Sequence, residues 1–391
     1  MEKLLHDTTF KSLLLMIVRT FFMAVLGMFF AFGTESRLKL YLKNKPKNIR
    51  ANEICKQQYR YLQIDSLMKT ITKQGKKSYN GVILIAENGK PVYKQAFGYV
   101  RNDTMRNFDT AYCMQLASVS KPLTAIGIMV LAERGLLSYD DNIKKWFPKL
   151  KYTGITVKNL LQHTSGLADY INDNYIFIKY QKNKKAIWTN TDLLNVLIKN
   201  KISLRFTTGK KFSYSNTGYA LLALIIEKVS NMTYPEYMKK HVFKPAGMKN
   251  TFVYEKTMDS IETIRQDYRE GIMGAKGIYS TVDDMLSLDQ ALYNYKLVKK
   301  ATLDSAYQQG HTKSQESFDY GYGWRMRASQ TGERIIYHRG FWEDANPMFI
   351  RFVDCNRTII SLHHPTNSDN WDLIDAIENI LNESEGICQD F

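Results

Sequence analysis

Between Leu123 and Ala132 the chain is apolar on nearly every side of a helical wheel, and Pro122 stands directly before that run. A helix that is hydrophobic all round belongs inside a packed domain, so the rest of the chain must be able to cover it. With 391 residues, 44% of them hydrophobic, it can do so without staples. Proline is tolerated only in the first turn of a helix, which puts the helix start close to Ser118. Gly135 supplies a stop at the far end. One residue is caught between these signals. The position before a proline avoids helical geometry, so strain is expected at Lys121.

On either side of this helix the pattern changes. Ile54–Ile71 has the periodicity of an amphipathic helix. Val82–Ala86 and Pro91–Val100 read as strands joined at Asn88-Gly89, a dipeptide suited to a tight hairpin. A polar, mostly helical stretch, including Asn172–Asn190, leads to a second apolar helix over Thr217–Val229. Arg334–Tyr337, Met348–Val353 and Thr358–His363 read as strands, and Trp371–Leu381 as a closing helix. Strands at both ends with helices between predict an α+β fold: one sheet from the N- and C-terminal segments, with a helical subdomain inserted in the middle. Cys55, Cys113, Cys355 and Cys388 show no metal spacing and leave three pairings open.

The formal charge is +16, but the lysines are scattered and no nucleic-acid-binding signature accompanies them. A solvated basic surface is the expectation, with weak attraction to anionic envelopes and no nucleic-acid partner. Leu13–Phe32 is apolar apart from Arg19 and Thr20, and Ala31-Phe32-Gly33 offers small residues for a signal peptidase. As a helix this segment is about 30 Å long, enough to remain as a membrane anchor. Arg37, Lys39, Lys43, Lys45, Lys47 and Arg50 follow it, a bias that by the positive-inside rule opposes export. The expected organisation is a signal peptide or anchor over 1–33, a basic linker over 34–52, a catalytic domain over 53–385 and a tail over 386–391. Export out of the cytoplasm, periplasmic or membrane-anchored, is the expected location.

Three motifs carry chemistry. Ser-x-x-Lys occurs at Ser36–Lys39, Ser66–Lys69 and Ser118–Lys121, and residues three apart share a helical face. Only Ser118 also stands at the start of a buried helix, where free backbone N–H groups favour a developing oxyanion. Tyr214-Ser215-Asn216 lies in a turn just ahead of the Thr217 helix; Tyr170-Ile171-Asn172 repeats the spacing without that setting. A buried tyrosine near a cation loses its proton more easily and serves as a base, although Tyr214 is one of 25 tyrosines. His338-Arg339-Gly340 ends the strand Arg334–Tyr337. Glycine there admits close backbone approach to a ligand, and the N–H of Phe341 is a second candidate oxyanion donor.

In this order the three motifs resemble the serine β-lactamase and penicillin-recognising enzyme family, above all its class C and DD-peptidase branch. Leu160-Leu161-Gln162-His163-Thr164-Ser165-Gly166-Leu167, Tyr279-Ser280-Thr281 and Tyr320-Gly321-Tyr322-Gly323-Trp324 match too, so the likeness covers about Ile64 to Leu381. The resemblance implies a β-lactamase/transpeptidase-like fold with an antiparallel sheet flanked by helices, and no cofactor. It implies Ser118 as nucleophile, Lys121 and Tyr214 as its proton carriers, and Asn216 orienting lysine or substrate. The N–H groups of Ser118 and Phe341 form the implied oxyanion hole. His338 stands where lactam-hydrolysing members carry lysine, which looks more like the peptidases and esterases. Arg339 departs from the usual small hydroxyl residue and is a candidate for binding a substrate carboxylate. Lys276, in Gly274-Ala275-Lys276-Gly277, departs from a frequent second glycine. The implied partner is a small-molecule or peptide substrate, cell-wall peptide among them. A class C-like β-lactamase and a catalytically silent, membrane-associated binding protein are the alternatives.

Overall fold

The computed structural model describes residues 49–72, 79–100, 106–180, 187–200, 202–255, 267–310, 318–365 and 370–387. The segment Leu13–Phe32, the basic residues Arg37 to Lys47, and the Ser36–Lys39 pair lie outside the described residues. Among the described residues no helix is long and apolar enough to cross a membrane. The chain divides into two compact units, one spanning Ile64–Ile374 and one made of the chain ends up to Gln63 and from Asp375. The end unit holds most of α1 (Ile49–Thr72) and the C-terminal part of α7 (Asn370–Ile387). Within it a buried Arg60 guanidinium donates to the carbonyl of Leu381 at 3.2 Å.

The larger unit contains a seven-stranded sheet in the order β2-β1-β10-β9-β8-β7-β6. Its strands are β1 (Gly81–Glu87), β2 (Lys90–Phe97), β6 (Asp319–Tyr320), β7 (Arg325–Ala328), β8 (Arg334–Arg339), β9 (Met348–Phe352) and β10 (Arg357–His363), all antiparallel. Asn88 and Gly89 both have positive φ, 51° and 73°, the requirement of the tight turn joining β1 to β2. Val82 faces Leu362 and Leu84 faces Ile360, so the first and last strands lie side by side as expected. The runs Val82–Ala86, Met348–Phe352 and Thr358–His363 are buried throughout because helices cover the sheet; α6 (Val282–Tyr293) packs against β1 and β10.

Two strand ends differ most from the sequence pattern. β2 stops at Phe97, where Gly98 turns the chain with φ 71°. β8 continues past Tyr337, placing His338 opposite Phe349 and Arg339 opposite Met348 in the ladder, instead of beyond its end. The middle of the chain is not purely helical either. β3 (Met114–Gln115), β4 (Phe252–Val253) and β5 (Ile278–Ser280) form a small sheet in the order β3-β5-β4.

The buried helix is α2 (Ser120–Glu133), entered through a 3-10 turn at Ala117–Val119. Pro122 occupies its first turn and Gly135, φ 70°, follows its end. Leu123, Ile126, Ile128 and Met129 are fully buried, each contributing roughly 1.5–3 kcal/mol. That apolar packing offsets the cost of burying Lys121 on the same helix. α2 lies against α5 (Asn216–Ser230), on which α3 (Val157–Leu161) and α4 (Asn190–Lys199) also pack. Strain falls on Ala117, a non-glycine residue at φ 43°, while Lys121 itself lies within the helix.

Candidate active site

Ser118 is presented by a pinned turn. The N–H of Leu116 donates to Ile278 of β5 at 2.8 Å, and Val119 N–H closes back on Leu116 at 2.8 Å. The left-handed Ala117 between them turns Ser118 out, half-buried, while Val119 and Ser120 go under. The competing serine, Ser66, is exposed on α1, and its partner Lys69 instead pairs with Asp65 at 2.6 Å.

Lys121 is fully buried, and its Nζ lies 3.0 Å from Ser118 Oγ, 2.7 Å from Asn216 Oδ1 and 3.0 Å from the carbonyl of Ala275. Burial pushes the lysine well below its ordinary pKa; Asp169 opposes this, and the cations Arg325 and Lys276 add to it. A neutral amine has two N–H bonds, which Asn216 and Ala275 accept, leaving its lone pair for the Ser118 hydroxyl. Asn216 is held by Asp169, which the sequence motifs do not include. Asp169 accepts from Asn216 N–H at 2.6 Å, from Asn216 Nδ2 at 2.9 Å, and from the backbone of Ile171 and Asn172 at 2.7 and 3.0 Å. It is buried, and it ties the Tyr170–Asn172 loop to the start of α5.

Tyr214 lies with its ring centroid 4.7 Å from Lys121 Nζ. Its hydroxyl is buried beside Ser118 and makes no hydrogen bond of good geometry. Desolvation dominates and raises the phenol above its ordinary value, which corrects the expectation of an easily deprotonated tyrosine. Burial therefore favours the neutral form of both partners. The His163 ring packs tilted against Tyr214, with centroids 4.3 Å apart, and its Nδ1 accepts from Ser215 N–H at 3.0 Å. His338 is fully buried behind this layer: its Nε2 lies 3.1 Å from the Tyr320 hydroxyl and its Nδ1 2.8 Å from the carbonyl of Arg339. Burial pushes both histidines well below their ordinary pKa, leaving them neutral. Neither borders the open cleft.

The cleft above Ser118 has a volume of about 480 Å³ and is bordered by Tyr214, Asn216, Arg325, Arg339 and Phe341, among others. A Cβ on Gly340 would stand 2.8 Å from the carbonyl of Leu116 and 2.9 Å from Ala117 Cβ. Glycine is required there by the approach of β8 to the Ser118 turn, so the neighbour it accommodates is the protein's own backbone. Gly340 N–H donates to Pro347 and Trp342 N–H to Ala345, at 2.7 and 2.9 Å. The Phe341 N–H between them has no acceptor among the described residues, as an oxyanion donor requires. Arg339 is exposed at the rim; Arg325, absent from the sequence motifs, is half-buried with its guanidinium 4.2 Å from the Phe318 ring. Neither arginine pairs with a carboxylate among the described residues.

Comparison with known proteins bears on the fold and the family. The family model described as beta-lactamase matches residues 65–380. Penicillin-binding protein 4* of Bacillus subtilis is 34% identical over 345 residues, covering 81% of this chain and 75% of that protein. The crystal structure of a penicillin binding protein from Bacillus halodurans superposes with a TM-score of 0.69 at 22% identity, covering 81% of this chain and 98% of that one. D-amino acid amidase from Ochrobactrum anthropi, solved with L-phenylalanine amide, superposes at 0.67 and 18% identity, covering 84% and 99%.

Proposed function

This chain belongs to the beta-lactamase family, and from that membership we propose that it is a serine hydrolase that forms an acyl-enzyme on Ser118. The observation that carries the reading is the 3.0 Å approach of Ser118 Oγ to a fully buried Lys121 amine. Lys121 takes the hydroxyl proton as Oγ attacks a carbonyl carbon. The tetrahedral oxygen is held by the N–H groups of Ser118 and Phe341. The proton passes from Lys121, by way of the neutral Tyr214 hydroxyl, to the leaving amine or alkoxide as the bond to the carbonyl carbon breaks. Water then attacks the ester, gives its proton back through the same groups, and Ser118 is released. His338 supports this work from behind, setting Tyr320 and the ring layer against Tyr214.

The substrates proposed are D-amino-acid peptides, as for a DD-carboxypeptidase, or small esters and amides. The names of the Bacillus subtilis and Ochrobactrum relatives support that range. Arg325 and Arg339 give the cleft a cationic wall suited to a substrate carboxylate, cell-wall peptide ends included. Export to the cell envelope, directed by Leu13–Phe32, is part of the same proposal. The test is a side-by-side screen of D-Ala-D-Ala peptides, nitrocefin and p-nitrophenyl esters, with intact-protein mass spectrometry of the acylated chain. Acylation lost in Ser118→Ala and kept in Ser66→Ala is the expected result. Acylation that survives Ser118→Ala overturns the assignment.

A further inference from the structure

Lys276, which departs from the frequent second glycine, borders the cleft that holds Ser118 and is almost wholly buried. Its Nζ lies 3.1 Å from Glu270 Oε2, with both side chains about 3% exposed. The other oxygen of Glu270 accepts the indole N–H of Trp342 at 2.6 Å. Lys276 Nζ also sits 4.6 Å from the centroid of the Trp342 ring, and the Arg269 guanidinium, anchored by Asp267, sits 4.7 Å from it. Both ends of this cluster reach the reaction centre through one peptide unit. On one side, Lys276 follows Ala275, whose carbonyl accepts from Lys121, and Gly274, whose carbonyl accepts from Thr124 on α2 at 2.7 Å. On the other side, Trp342 follows Phe341, the oxyanion donor.

We propose that Glu270, Lys276 and Trp342 form a clamp that fixes the oxyanion-donating turn, residues 340–346, to the loop that holds Lys121. The two halves of the acyl-transfer machinery come from chain segments more than sixty residues apart, roughly the span from Ala275 to Phe341, and a preorganised hole requires a fixed distance between them. A buried carboxylate with two directional donors on opposite oxygens supplies that fixity, because each bond it loses leaves a charge or dipole unpaired. These are positioning residues: they touch no reacting atom and act through Ala275 and Phe341.

The catalytic consequence rests on the acyl-enzyme reading, so two readouts are used. Hydrogen exchange at Gly340 and Trp342 reads the clamp without turnover. Trp342→Phe keeps the ring and removes the N–H, and is expected to accelerate exchange in residues 340–346 but not in α2. Glu270→Gln keeps one acceptor for the indole but turns an amide N–H toward Lys276, and is expected to accelerate exchange at Trp342 by less than Trp342→Phe does. With p-nitrophenyl acetate, Trp342→Phe is expected to lower kcat about tenfold with KM within about twofold, the split expected when a transition-state contact is displaced. Glu270→Gln should lose less. Unchanged exchange in Trp342→Phe, or faster exchange spread evenly over the whole chain, overturns the clamp. Absence of Ser118 acylation in the unaltered protein overturns the hydrolase reading instead, and the exchange result still decides the clamp.

Discussion

Lys121 Nζ is closer to Asn216 Oδ1, at 2.7 Å, than to Ser118 Oγ, at 3.0 Å. The amide thus takes one of the two N–H bonds of a neutral amine and aims the lone pair at the nucleophile. Burial holds the lysine well below its usual pKa, and the Arg325 cation adds to this, so the base form is favoured at lower pH than for an ordinary lysine. Activity on a neutral ester should therefore rise with pH through the lowered lysine pKa. Arg325→Gln removes a cation that disfavours the ammonium, so Lys121 keeps its proton longer and the acid limb of kcat/KM moves to higher pH. A limb that stays in place in Arg325→Gln would show that it belongs to another group.

Asp169 is the next test, because it positions Asn216 rather than touching the nucleophile. Asp169→Ala strips acceptors from Asn216, Ile171 and Asn172 at once. Stability should fall by about 2–4 kcal/mol, the scale for orphaning several buried donors of a charged acceptor. Acylation should slow by roughly 100-fold, as misplacement of a base by an ångström implies. Urea unfolding and stopped-flow acylation measure the two effects. Full activity in Asp169→Ala would mean that Asn216 is held by the fold of α5 alone.

Much of this was legible before the fold was known. Pro122 with the apolar run located α2, and the Ser118 and Tyr214 motifs were visible because each stands at the start of a buried helix. Asp169 and Glu270 were not, since no spacing rule relates 169 to 216 or 270 to 342; those pairs exist only through tertiary packing. The end of β8 was misjudged because His338 and Arg339 owe their strand geometry to pairing with Phe349 and Met348. Strands of two or three residues such as β3 and β4 have no period to detect. The direction of the Tyr214 shift was misjudged for a different reason. Sequence shows the neighbouring cation but not the desolvation that outweighs it.

The two buried histidines should make the fold acid-sensitive. His163 and His338 are both held below the ordinary histidine value of about 6.5, chiefly by burial. In the unfolded chain they bind protons as pH falls through about 6.5, whereas in the folded chain they resist. Their contribution is thus complete above that value and is lost below it, by up to about 1.4 kcal/mol per pH unit for each ring. Urea melts at pH 7, 6 and 5 should show that slope. His163→Asn, which retains an acceptor for Ser215 N–H, should flatten it by about one proton. An unchanged slope would place the sensitivity elsewhere.

The arginines of the cleft wall separate substrate recognition from chemistry. Arg325 is half-buried with its Nε enclosed and without an acceptor, so a substrate carboxylate would meet a partly desolvated cation. Arg339 is exposed at the rim, where water competes for the same contact. Arg325→Gln should therefore weaken turnover of peptides ending in a free carboxylate by roughly 2–4 kcal/mol in apparent transition-state binding. Arg339→Ala should cost them about 0–1 kcal/mol, the scale of a solvated pair. Away from the shifted acid limb, neutral p-nitrophenyl esters should be almost unaffected by either change, because they offer no charge to pair. Matched kcat/KM measurements on a peptide and its C-terminal amide decide the point. Equal losses on both in Arg325→Gln would make that arginine a support for Tyr214 and Phe318. A larger loss in Arg339→Ala than in Arg325→Gln would move the carboxylate to the rim.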